Sequence, residues 1–105
     1  GEHPNAFVRR AVVVGIRFCA EYLDDAVVRN VQYVADRLKD ENDWVLYDAC
    51  WIVRDNPSIF KDSVHRLREI AGQMLGLTMA ELENCNPSGP HEYASKCAAE
   101  ALLVQ

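Results

Sequence analysis

Residues 43–54 read DWVLYDACWIVR. Asp48 is the one charge inside that stretch. Both tryptophans of the chain, Trp44 and Trp51, fall here seven positions apart, which puts them on one side of a helix after two turns. Val45, Leu46, Tyr47, Ala49, Cys50, Ile52 and Val53 occupy the other sides. A helix that is apolar all round must be enclosed by other elements. The stretch is therefore read as the central helix of an all-α domain. The expected fold is a compact helical bundle of five to six helices in antiparallel hairpins.

The flanks supply those helices. Pro4 and Asn5 lead into a helix over 5–22, where Phe7, Ala11, Val14, Phe18 and Tyr22 share a stripe at helical spacing. The run Val12-Val13-Val14-Gly15-Ile16 by itself favours a strand. The 3.6-residue period of its neighbours on both sides favours helix. Asp24-Asp25 is placed to cap a helix over 25–39, whose seam is Val27, Val31, Val34 and Leu38. Asn42 or Asp43 caps the central helix. Asn56 and Pro57 end it and open a helix reaching Leu75, which Gly76 closes in a left-handed conformation. Thr78 and Glu81 form a capping box for a short helix ending near Cys85. After the loop Asn86-Pro87-Ser88-Gly89-Pro90 a last helix covers 90–104, and its alanines 94, 98 and 99 permit close approach of a neighbour. Helix starts near 5, 43 and 79 recur at roughly 37 residues, the length of one helical hairpin unit, without a repeated residue signature.

The chain has 105 residues and fits a single helical domain, 1–105. That length buries roughly 65% of the unfolded surface, enough for a core without bridges. The start Gly1-Glu2-His3-Pro4 reads as a domain cut from a longer protein. A net charge of −5, with no basic cluster larger than Arg9-Arg10, speaks against a sequence-independent grip on nucleic acid. The longest apolar run, 11–16, is far below the ~18 residues of a membrane span.

Candidate chemistry is sparse. The cysteines at 19, 50, 85 and 97 read as packed thiols, with two disulfides in a secreted domain as the alternative. Cys85, His91 and Cys97 lie close in sequence but lack a fourth zinc ligand nearby. Cys50 sits among large apolar residues without a base or a glycine-rich turn, so a nucleophilic role is not expected. Asp48 is either held for a partner's arginine or proton chemistry, or it is an exposed helix edge or an internal pair with Arg10, Arg17 or Arg54. No serine–histidine–acid spacing, phosphate loop or H-E-x-x-H motif occurs. No catalytic residue, metal, cofactor or small-molecule substrate is expected.

The stretch LREIAGQMLGLTMAELENCNPSG, 67–89, resembles the opening of a death domain and is also similar to a bacterial repressor-type helix-turn-helix. The early tryptophan of a death domain is absent. The positions of a repressor's recognition helix, 78–86, carry Glu81 and Glu83 and no basic residue. The pattern is assigned to neither family.

Helices 5–22 and 43–54 are both apolar on more than one face, more than a five- or six-helix domain can enclose. The expected function is therefore a non-catalytic helical protein–protein interaction or dimerisation module of a larger intracellular protein. Its interface candidates are Phe7, Val14, Phe18, Tyr22, Trp44, Tyr47 and Trp51. The expected partner is a protein or a second copy, with no nucleic acid and no membrane. The alternatives are a helix-turn-helix DNA-binding regulator centred on 66–86, or a secreted, disulfide-stapled helical ligand.

Overall fold

Asn5 opens the first helix. In the computed structural model, which describes residues 4–23 and 25–104, its side chain accepts a 2.8 Å hydrogen bond from the Phe7 amide. From there α1 runs Ala6–Cys19, and backbone hydrogen bonds carry the coil on to Leu23. The valine run is helical. β-Branched residues cost a helix only a few tenths of a kcal/mol each, and sealing Val13 and Ile16 in the core outweighs that.

The helix expected over 25–39 is two helices. α2 spans Ala26–Arg29 and α3 spans Val31–Arg37. The chain breaks at Asn30, whose side-chain amide donates to the Ala26 carbonyl at 2.7 Å and competes with the helical ladder. The Asp24 half of the proposed cap lies outside the described residues. Asp25 makes no capping bond and pairs with Arg29 instead, at 2.8 Å.

α4, Asp43–Asp55, is the expected central helix. Asn42 caps it by accepting from the Trp44 and Val45 amides. It packs on α1, on α3 and, most extensively, on the last helix. Asn56 is not the cap of a following helix. Its amide donates back to the Ile52 carbonyl, and the chain makes a turn through Pro57 and Phe60 and a 3-10 turn over Lys61–Ser63. Only then does α5 begin, Val64–Ala71. Gly76 has positive φ as expected, but α5 has already ended at Gly72, with φ 54° and ψ −122°.

Both bonds of the Thr78/Glu81 capping box are present at the start of α6, Met79–Glu83. α7 spans Pro90–Leu103 with the proline in its first turn. Its inner face is Ala94, Cys97, Ala98 and Ala101, small enough for the backbone to lie against α4 and α5. The described residues are all-helical and contain no strand. A radius of gyration of 12.9 Å matches the ~13 Å of a packed domain of this length.

Candidate interaction surface

α1 carries its charges inward. Arg9, buried on the α3 side, grips Asp40 with two hydrogen bonds, 2.7 Å from Nε and 3.0 Å from Nη2. Arg37 approaches the same carboxylate at 3.5 Å. Burial alone would raise the Asp40 carboxyl. The Arg9 and Asn42 hydrogen bonds and the charges of Arg9 and Arg37 outweigh it and hold the group below its ordinary range.

Asp48, only 2% exposed, projects from α4 towards α1. Arg10 Nε donates to it at 2.9 Å, and Arg17 Nη1 lies 3.8 Å away on its other oxygen. The aspartate is thus an internal anchor between the two helices. Arg54 turns the other way, to Glu100 of α7 at 3.1 Å.

The same arginines cover the aromatic side of α4. The Arg10 guanidinium lies 5.0 Å from the Trp44 ring, and Arg17 and Arg54 lie 4.2 and 5.0 Å from Trp51. Tyr47 meets Trp44 and Trp51 edge-on, and Tyr93 of α7 stacks on Trp44 at 6.3 Å. Of the interface candidates on α4, Tyr47 and Trp51 are therefore half-buried in packing between helices. Trp44 sits at the rim, 39% exposed.

The candidates on α1 stand apart from that packing. Phe7 is 84% exposed, Tyr22 83% and Phe18 52%, while Val14 is half-buried at the margin. With them the structure groups Val8, Ala11, Val12, Gly15 and Cys19, all exposed. At ~100° per residue the positions from 7 to 19 cover a sector of about 160° on one side of the helix, and Tyr22 follows in the turn beyond it. That sector contains no charged residue. Among the positions added by the structure, 8, 11 and 15 fall in a 3/4 alternation with the candidates 18 and 22.

Elsewhere two of the thiols, Cys50 and Cys97, are sealed in the core. All four cysteines are free. Burial pushes the Cys50 thiol well above its ordinary value and Cys97 up to about 12, so neither supplies thiolate near neutral pH. Among the described residues no three His, Cys, Asp or Glu side chains gather to hold a metal. A cleft of about 630 Å³ beside Pro4 is lined by Arg9, Asp36, Arg37, Lys39, Asp40 and Glu41. Its Arg9, Arg37 and Asp40 charges are those already engaged with one another. The 66–86 segment runs from α5 through the Gly72 turn to α6, each of which packs on α7, and Glu81 and Glu83 on α6 are exposed. Among the described residues no helix is long and apolar enough to cross a membrane. Comparison of the chain with protein-family models, with curated proteins and with solved structures gave no match.

Proposed function

We propose that this chain is a non-catalytic protein–protein interaction module of an intracellular protein and that it docks through the outer face of α1. One observation carries the reading: α1 turns its arginines into the subunit and its phenylalanines out of it. Arg9 is buried against Asp40, and Arg10 and Arg17, which keep a path to water, turn to the buried carboxylate of Asp48. The apolar residues thereby left outside form a contiguous patch of several hundred Å², the kind that marks an interaction site. The four unbridged thiols accord with a reducing compartment.

The test compares the chain with its Phe7→Glu/Phe18→Glu variant as bait, alongside sedimentation of both. The reading expects binding, to itself or to a dedicated protein, that the variant loses while its helical circular dichroism is retained. Identical behaviour of the two baits, with both proteins strictly monomeric, overturns it.

A further inference from the structure

The outer face of α1 leaves open what covers it. We propose that the occupant is a second copy of this chain, docked through an antiparallel α1 pair on a two-fold axis at Gly15. This rests on the docking reading above and goes beyond it by fixing the partner, the orientation and the register.

Charge is the first argument. The chain carries −5, and the face itself carries none. An uncharged face offers no counterpart to a charged motif on another protein, and an anionic membrane would repel the molecule as a whole. Two copies can meet there without burying an unpaired charge.

Area is the second. Phe7, Val8, Val12, Phe18, Tyr22 and Leu23 together leave exposed on the order of 700 Å² per copy, taking ~150–250 Å² for each whole aromatic side chain. A standard interface takes about 800 Å² from each partner.

Shape is the third. An isologous contact requires that residue i meet j and j meet i. With the axis at position 15, Phe7 faces the partner's Leu23, Val8 the partner's Tyr22, Ala11 the partner's Cys19 and Val12 the partner's Phe18. Any helical stripe is symmetric about its midpoint. What this sequence adds is a line of small residues at 11, 15 and 19, with Val12 and Phe18 beside it and Phe7, Val8, Tyr22 and Leu23 beyond its ends. Two such faces close together at the middle and interlock at the ends.

Gly15 gives the fourth argument. A Cβ built there meets nothing within 4 Å, so the subunit itself makes no use of the missing side chain. Its φ is not positive, so the backbone does not require glycine either. Glycine is the poorest helix former after proline. A second helix crossing at that point is what would use the space.

Sedimentation equilibrium of the 105-residue chain from ~1 µM to ~1 mM is the first measurement, and it is expected to show a monomer–dimer equilibrium. Gly15→Glu is expected to abolish the dimer. It fills open space in the subunit, so its helical content and dilute thermal midpoint should equal or exceed those of the parent. Cross-linking fixes the orientation. In the proposed register the two Cys19 Cα atoms lie about 12 Å apart along the axis, too far for a disulfide, whereas position 11 faces Cys19 of the second copy. Mild oxidation of Ala11→Cys is expected to yield covalent dimers bridged from 11 to 19, and the parent chain none bridged from 19 to 19.

A monomer at every concentration, a dimer that survives Gly15→Glu, or a bridge between the two Cys19 residues overturns the proposal. A monomeric parent that still captures a protein lost by Phe7→Glu/Phe18→Glu overturns self-pairing alone and leaves the docking reading standing. A monomer with no face-dependent capture overturns both.

Discussion

Asp48 shows how a single side chain decides between structure and function. The sequence marks it as the odd charge in an apolar helix, and it offers Arg10 and Arg17 among the pairing partners. Only the structure shows that both approach from α1. The two halves of this cluster are unequally confined. Arg10 and Arg17 keep a path to water, whereas Asp48 has none. Asp48→Ala therefore frees two arginines that can rehydrate, at a cost of about 1–2 kcal/mol. Arg10→Ala/Arg17→Ala strands a buried carboxylate and removes two guanidinium contacts from Trp44 and Trp51, at about 3–5 kcal/mol. Urea unfolding of the two variants measures the order, and a costlier Asp48→Ala would refute it. The buried thiols give a second prediction at this scale. Unfolded, Cys97 ionises near 9.0; folded, burial holds its proton to about 12. In that window the unfolded chain binds fewer protons, so stability falls as pH rises, by about 1.4 kcal/mol per pH unit for each such thiol. Cys50 shifts in the same direction. Unfolding free energies between pH 8 and 11 should show the decline, with a shallower slope for Cys97→Ala. At pH 8 the exposed Cys19 should react with a thiol reagent well before Cys50 or Cys97.

Among the elements, the ones legible in sequence were those with a strong cap and a strong period together. Asn42 before α4, Thr78 with Glu81 before α6 and Pro90 in α7 all lie where the pattern put them. The failures have local causes. The seam Val27, Val31, Val34 and Leu38 has the period of one helix, and a hydrophobic period cannot register a side chain such as Asn30, which bonds its own backbone. Asn56 and Pro57 resembled a helix start, but Asn56 was already spent on the end of α4. Glycine has opposite meanings in two of these elements, and that is testable. Gly72 sits at φ 54° and ψ −122°, which an L-side chain reaches only with strain, so Gly72→Ala should cost about 1–3 kcal/mol although no atom obstructs its Cβ. Gly15 lies inside α1 with ordinary φ, so Gly15→Ala should raise the stability of the isolated subunit by up to about 1 kcal/mol. Thermal unfolding of both in dilute solution reads the signs, and equal signs would contradict the backbone argument.

For the whole molecule the governing quantity is the distribution of charge between inside and outside. A fold of this size had arginines to place and two aspartates, Asp40 and Asp48, to receive them inside. Accepting them there left the apolar side of α1 uncovered. The sequence held the excess of apolar surface in plain view, since both 5–22 and 43–54 were too greasy for one small bundle. It hid which helix would surrender its face, because that depends on a meeting of charges 31 and 38 residues apart. If the exposed face is closed by a second copy, stability becomes a function of concentration. A hundredfold increase in a dimer that unfolds to single chains is worth about 1.4 kcal/mol per subunit, or roughly 5–10 °C in the thermal midpoint of a domain this size. Phe7→Glu/Phe18→Glu should remove that dependence. The salt response carries a sign as well. Each copy bears −5, and nothing in the outer face of α1 offers a charge to pair, so the electrostatic contribution to association is repulsion between whole molecules. Raising ionic strength from ~10 to ~150 mM shortens the Debye length from about 30 to about 8 Å and screens that repulsion. Association should therefore tighten with salt. An interface held by surface ion pairs would loosen over the same range, and weaker association at the higher salt, read by sedimentation, would place the contact on a charged face of the bundle and not on α1.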